Sequence, residues 1–462
     1  MDPKPFAPLS YLAANAAQRP GEVAVFDAAR AITFAELHQL VLAASGHFRA
    51  GEVVGVRLPN VWEYVALELA IPAAAGVILP LPLTLGEAEL RWAVERSGAA
   101  RVIESAGDLF AGAGPPEPAG ADPERVVEIA LTSGTTGMPK LAGLTARLKQ
   151  ATYEGFTARL QIGPGDRVLP LTPLTQGIGG MCLYGLRNGA ALVMLHEPRF
   201  TPELAAELVD RHRPTHLVGV PTNLIRMLDA GLAPEPGQVK VTAVAGAPLP
   251  PDVAREWEER TGSRLCGFYG SMDAGQLAVA SPEEPAEKRW HSVGRPHDVA
   301  EVMITPAGEI CGRGPTVQEC YWGESTGPLA EDGWAHMGDL GRLDEDGFLY
   351  VTGRLSDLII RGGANINPHE VEAALRRHPA VRDVCVVGRP DRELGERAVA
   401  CVVGDVDLAA LRSHLAAEGV ARYKWPEELI TAAEIPLSGP GKVNRRALRE
   451  RLTLNERLTL NG

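Results

Sequence analysis

Short apolar runs of strand length recur along the chain, at 126–131, 190–195, 216–220 and 239–244, and stretches of helical character separate them. Three segments carry helix-start signals. Thr33-Phe34-Ala35-Glu36 and Thr84-Leu85-Gly86-Glu87 each place a hydroxyl three residues ahead of a carboxylate, the pattern of a capping box. Asn367-Pro368-His369-Glu370 joins a cap residue, a proline at the first helical position and an acid at the third. This alternation over most of the chain predicts α/β architecture. Residues 111–123, rich in Gly, Pro and Ala, predict a surface loop or linker. From about residue 301 the pattern changes to short strands with tight turns, and after Arg354 to a compact α/β pattern. A domain boundary is therefore expected at 354–357. The tail repeats RLTLNE as RLTLNG, too short for a solenoid, and reads as a fraying terminal helix.

Composition narrows the class. At 462 residues the prior is two or three domains. Hydrophobic residues at 45% and charged residues at 22% are those of a globular chain. The net charge of −13 argues against a nucleic-acid partner. Cys182, Cys266, Cys311, Cys320, Cys385 and Cys401 contain no CxxC pair, so they read as buried thiols of a reducing compartment. The most apolar stretch, 65–83, holds Glu68, Pro72, Pro80 and Pro82 and is no membrane span. The N-terminus has no long apolar signal core, and a cytoplasmic location is the expectation.

The strongest chemical signal is LTSGTTGMPKLAG at 131–143, directly after an apolar strand. Ser133, Thr135 and Thr136 supply hydroxyls, Gly134 and Gly137 let backbone amides approach an anion, and Lys140 adds a compact charge. That set suits a polyphosphate. The spacing is not the GxxxxGK[ST] of P-loop NTPases. His212 and His216 are separated by Pro214 and share no helical face, so they do not form a metal site. Asp344, Glu345 and Asp346 read as a solvated turn with Gly347.

With further motifs in order, the chain resembles the acyl-adenylate-forming superfamily of acyl-CoA and aryl-CoA ligases, nonribosomal adenylation domains and luciferases. The motifs are VAGAPLP (244–250), GFYGSMDAG (267–275), GEICGRGPTVQECYWG (308–323), DGWAHMGDLGRLDEDGFLYVTGR (332–354), IIRGGANINPHEVE (359–372) and PLSGPGKVNR (436–445). The resemblance implies a large N-terminal adenylate-forming domain, 1–355, and a small mobile C-terminal α/β lid, 356–462. It gives ribose binding to Asp339 and Arg354, adenine stacking to Tyr269, and the purine-side strip to Gly246, Ala247 and Pro248, with Gly270 and Ser271 beside the nucleotide. Lys442 matches the C-terminal lysine that bridges the attacking carboxylate and the α-phosphate, where a positioned cation offsets anion–anion repulsion. Lys140, Thr135 and Thr136 join it in the catalytic set.

Magnesium comes with ATP, and Asp273 stands where the family has a glutamate that helps hold it. Met272 and Met337 stand where relatives have threonine, and Thr175 and Gln176 where they frequently have histidine. Ser356 occupies the hinge position, and Gly362 and Gly363 match a loop that approaches the thiol acceptor or serve as a plain turn. The acid pocket maps to Leu174, Thr175, Gly177, Ile178, Pro221, Gly246, Gly267 and Ser271, none of them charged. An uncharged aryl or medium aliphatic acid fits that set better than an amino acid. The implied reaction is acid activation as acyl-AMP, followed by transfer to a thiol, coenzyme A first. One rival is a freestanding ligase that loads a phosphopantetheinyl carrier protein. The other, of a different class, is a nucleotide-binding regulatory protein without catalysis, which would rest on Met272, Asp273 and the absent histidine.

Overall fold

The computed structural model describes residues 6–111, 122–132, 140–196, 200–271, 275–318, 321–324, 327–438 and 442–453. The chain divides into two compact units. The larger takes residues 1–303, 311–337 and 343–350, and the smaller takes 304–310, 338–342 and 351–462. Among the described residues no helix is long and apolar enough to cross a membrane.

Two sheets organise the larger unit. The first has five strands: Val53–Val56, Val77–Pro80, Arg101–Ile103, β1 (Val126–Thr132) and β2 (Lys140–Thr145). All its pairs are parallel except β1 with β2, an antiparallel hairpin in which Thr132 faces Lys140. Helices α1 (Trp62–Ala73) and α2 (Ala146–Arg159) belong to this unit. The second sheet has nine strands. Its centre is β3 (Arg167–Pro170), β4 (Ala191–Val193), β5 (His216–Gly219), β6 (Val241–Val244) and β7 (Arg264–Ser271), parallel and in the spatial order β7-β6-β5-β3-β4. The apolar runs at 126–131, 190–195, 216–220 and 239–244 are β1, β4, β5 and β6. Every residue of β4, β5 and β6 is buried, as strands covered on both faces require.

Local signals formed with one change. The Thr33 box is complete: Glu36 N–H donates to Thr33 Oγ1 at 3.2 Å, and Thr33 N–H to Glu36 Oε2 at 2.8 Å. The second helix start corrects the Thr84 expectation. Leu85 N–H closes a turn on Pro82 O at 3.1 Å, which keeps Thr84 out of the helix. The helix Glu87–Ser97 is capped instead by Gly86, whose N–H donates to Glu89 Oε2 at 2.9 Å. His212 ends one helix and His216 begins β5, as the intervening proline requires. Asp344 is more than a solvated turn residue. Its carboxylate accepts from Phe348 N–H at 2.9 Å, Tyr350 Oη at 2.9 Å and Lys288 Nζ at 2.6 Å. Desolvation opposes its charge, but those donors prevail and hold its pKa well below the usual carboxylate range. Cys182, Cys266, Cys311, Cys385 and Cys401 are buried free thiols, and Cys320 lies outside the described residues.

In the smaller unit, β8 (Ile359–Arg361) and β9 (Ala364–Ile366) precede helix α3 (Pro368–Leu375). The long antiparallel pair β10 (Val381–Asp391) and β11 (Gly395–Gly404) follows. Alternate side chains of β10 enter two cores. Val384 and Val386 pack with Val371 and Leu375 of α3, whereas Cys385 and Val387 pack with Leu448 of α4 (Arg445–Thr453). Strand β10 lies at the edge of its sheet.

Candidate active site

In the larger unit the acid and purine candidates collect at one edge of the nine-stranded sheet. After β3 the chain runs to β4 on one side and then returns to β5 on the other. The strand order therefore reverses around β3, and in open α/β sheets such a reversal opens a ligand crevice at the carboxyl ends. Leu174, Thr175, Gly177 and Ile178 follow β3, Pro221 follows β5, Gly246, Ala247 and Pro248 follow β6, and Tyr269, Gly270 and Ser271 end β7.

Gly246 sits at φ +86°, and a Cβ there would meet Ile178 Cδ1 at 3.0 Å and Val220 Cγ1 at 3.6 Å. The loops after β3, β5 and β6 thus converge on a glycine whose conformation L side chains rarely adopt. Gly246, Ala247 and Pro248 are exposed. Two candidates have packing roles as well. Leu174 lies in the main core, its N–H donating to the buried Asn60 Oδ1 at 2.9 Å. Gly267 lies under the backbone of Ser292, whose O would be 3.0 Å from a Cβ.

The phosphate loop residues Ser133, Gly134, Thr135, Thr136 and Gly137 lie outside the described residues, as do Met272 and Asp273. The base of the loop is described. It is the β1–β2 hairpin, and Lys140 opens β2 with Nζ 3.3 Å from Tyr321 Oη and 4.4 Å from that ring's centre. Tyr321 bridges to Ala142, and Trp322 N–H donates to Leu141 O at 2.8 Å, so the 321–322 segment is stitched alongside β2.

Beneath the hairpin lies a buried ionic cluster. Lys149 Nζ on α2 is 2.9 Å from Glu68 Oε1 on α1 and hydrogen-bonded to Glu128 on β1. Their side chains are 3%, 5% and 14% exposed. Burial above all, then Lys149 in opposition and Glu128 in support, leaves the Glu68 carboxyl pushed up to about 7.

In the smaller unit, Asp339 on the strand Ala335–Leu343 and Arg354 are brought together, with Nε to Oδ1 at 3.2 Å. Gly362 and Gly363 form the two-residue link of the β8–β9 hairpin at φ +55° and +84°, the positive values a tight hairpin of this length favours. These glycines therefore form a tight turn, a conformation compatible with either expectation for them. Asn367 caps α3 by accepting from His369 N–H at 3.1 Å and donates Nδ2 to Thr352 O at 2.8 Å. Lys442 lies on a short strand that pairs with Ser438.

Two contacts escaped the sequence reading. Tyr321 stands within a recognised motif, but nothing in the spacing ties it to Lys140. Gln276 is buried on the strand Gly275–Val279 of the nine-stranded sheet, with Nε2 3.6 Å from Met181 Sδ and Oε1 2.8 Å from His297 Nε2. His297 is itself buried, and desolvation lowers its pKa to about 4.

Models of two families match the chain: the AMP-binding enzyme family over 12–111 and 102–322, and the AMP-binding enzyme C-terminal domain over 370–442. The chain belongs to the AMP-binding enzyme family. It is 32% identical to the sulfoacetate–CoA ligase of Cupriavidus necator over 96% of this chain and 98% of that one. It is 30% identical to a feruloyl-CoA synthase of Amycolatopsis over the same shares. Among solved structures, the o-succinylbenzoate CoA synthetase MenE of Bacillus subtilis with its acyl-adenylate intermediate gives a TM-score of 0.83 at 26% identity, covering 96% of this chain and 98% of that one. The protein is an AMP-forming enzyme of the acid–thiol ligase type, with the large and small domains of that family.

Proposed function

We propose that the protein joins an uncharged aryl or medium aliphatic carboxylic acid to coenzyme A through an acyl-adenylate. The observation that carries this reading is the convergence of Ile178, Val220 and Gly246 at the carboxyl edge of the sheet, apolar or small residues without a charged side chain among them. An amino acid's ammonium would find no carboxylate partner in that set. The acids for which the relatives are named are varied, including sulfoacetate, ferulate and succinylbenzoate. The pocket, rather than the family, therefore has to choose.

The residues divide the chemistry as follows. The 133–139 loop and Lys140 cradle the phosphates, which enter as the magnesium complex of ATP. Asp339, acceptor-only when ionised, holds the ribose hydroxyls, and Arg354 orients its carboxylate. The acid's carboxylate oxygen attacks the α-phosphorus, the bond to the bridging oxygen breaks, and pyrophosphate leaves. Lys442 supplies the cation that offsets repulsion between the two anions as charge builds on the α-phosphate. The sulfur of coenzyme A then attacks the acyl carbon of the mixed anhydride, and AMP departs with the former carboxylate oxygen. Gly362 and Gly363 line the thiol's approach, and Ser356 is the hinge between domains 1–355 and 356–462.

ATP–pyrophosphate exchange across aryl, alkyl and amino acids tests this reading. Exchange is expected with at least one uncharged acid, followed by thioester formation with coenzyme A. Because a solved neighbour at 27% identity is the amide bond synthetase McbA, amines belong among the acceptors, with a carrier protein. Exchange with amino acids alone, or product with amines alone, would overturn the reading.

A further inference from the structure

The smaller unit contains an ionic network that the reaction described above does not use. Arg445 opens α4 three residues after Lys442, and its side chain is only 11% exposed. Its guanidinium grips Glu372 of α3 with two bonds, Nη1 to Oε1 at 2.6 Å and Nη2 to Oε2 at 2.8 Å. Nη1 also donates to Val386 O at 2.8 Å, while Val386 N–H donates to Glu372 Oε1 at 2.6 Å. Val386 lies on the edge strand β10, so the ion pair satisfies backbone groups that a neighbouring strand would otherwise take. The Arg445 Nε faces Asp357 Oδ2 at 3.3 Å. One turn further along α4, Arg449 donates Nη1 to Ser356 O at 3.3 Å and Nη2 to Asp357 O at 3.2 Å.

Two arginines on one face of α4 therefore hold both backbone carbonyls and the carboxylate of the 356–357 segment. The same helix begins at the end of the hairpin strand that carries Lys442, with Asn444 N–H bonded to Pro436 O at 2.8 Å across the hairpin base. The Lys442 backbone and the 356–357 segment are thus attached to one helix.

We propose that Arg445 and Arg449 are positioning residues for Lys442: they clamp α4 to the hinge, so that the hinge conformation sets where the lysine is presented. The proposal rests on the adenylation role proposed for Lys442. A misplacement of a catalytic group by about 1 Å costs on the order of 10²-fold, so loosening the clamp should act on one half-reaction. The hydrogen bonds and ion pairs described for the clamp reach Ser356, Asp357, Glu372 and Val386, not Gly362 or Gly363.

The test uses the full-length enzyme, the acid that gives the fastest pyrophosphate exchange, and its synthetic adenylate with coenzyme A. Arg445→Ala would strand the buried Glu372 carboxylate and risks unfolding. Arg445→Lys keeps a cation there but cannot reach Glu372 and Asp357 together, and Arg449→Gln shortens the side chain that reaches the Ser356 and Asp357 carbonyls and serves if the first variant fails to fold. Both are expected to keep the thermal midpoint within about 3 °C and KM for ATP and acid within about twofold. Acyl-adenylate formation should slow by about 10- to 100-fold, while thioester formation from supplied adenylate changes by less than about twofold. Lys442→Ala is the reference and should lose adenylation. If it does, and folded Arg449→Gln adenylates at the wild-type rate or loses both half-reactions equally, the positioning role is overturned and the lysine's role stands. If Lys442→Ala adenylates normally, the lysine reading falls and takes the clamp with it.

Discussion

Glu68→Gln should reverse part of the enzyme's pH-dependent stability. In the wild type Glu68, Glu128 and Lys149 place two carboxylates against one buried cation. The Glu68 carboxyl is raised to about 7 from its ordinary 4.5. A carboxyl whose folded pKa exceeds its unfolded one binds more protons when folded. Its stabilising contribution is complete below about 4.5 and is lost as pH rises through about 7. At 1.36 kcal/mol per unit, the loss is on the order of 3 kcal/mol. Glutamine keeps the shape and removes the titration, leaving Lys149 with Glu128. Relative to wild type, the variant should gain about 2–3 kcal/mol between pH 5 and pH 8, with most of the change between pH 5 and pH 7. Urea unfolding followed by tryptophan fluorescence is suited to this, because six of the seven tryptophans, all but Trp425, lie in the larger unit. Equal m-values for the two proteins would license the comparison. A difference constant to within about 1 kcal/mol over that range would refute the reasoning, and Glu68 would then be an ordinary ionised partner of Lys149.

Asp339→Ala should weaken ATP binding by about 1.5–3 kcal/mol, the worth of hydrogen bonds to a charged acceptor, and calorimetry showing unchanged affinity would remove Asp339 from the site. Gly155→Ala places a Cβ 2.1 Å from Nδ1 of the buried His297 and should destabilise the larger unit by about 1–3 kcal/mol, read as a lower urea midpoint. Gly246→Ala combines φ +86° with a 3.0 Å approach to Ile178, so KM for the acid should rise with the fold retained. An unchanged KM would place Gly246 away from the acid.

Strands β4, β5 and β6 were legible because burial on both faces makes them continuous apolar runs, and β1 carries an apolar run although its burial alternates. The start at Thr84 was misplaced because a competing turn on Pro82 withdraws the hydroxyl from the helix, a contest between two local hydrogen bonds that a motif does not reveal. Family motifs located Asp339 and Arg354, which do meet in space. The Lys149 cluster was not legible, since its partners are 81 and 21 residues away in sequence and a lysine inside a helix ordinarily reads as surface. Arg445 stood in a recognised motif, yet its work depends on β10 being an edge strand, a property of the sheet and not of the motif.

Product stoichiometry tests the central claim most directly. With ATP, magnesium, coenzyme A and an acid active in exchange, quenched reactions separated by chromatography should show AMP and acyl-CoA rising together in a one-to-one ratio, with pyrophosphate and no ADP. ADP as the nucleotide product, or AMP released without thioester, would contradict the account.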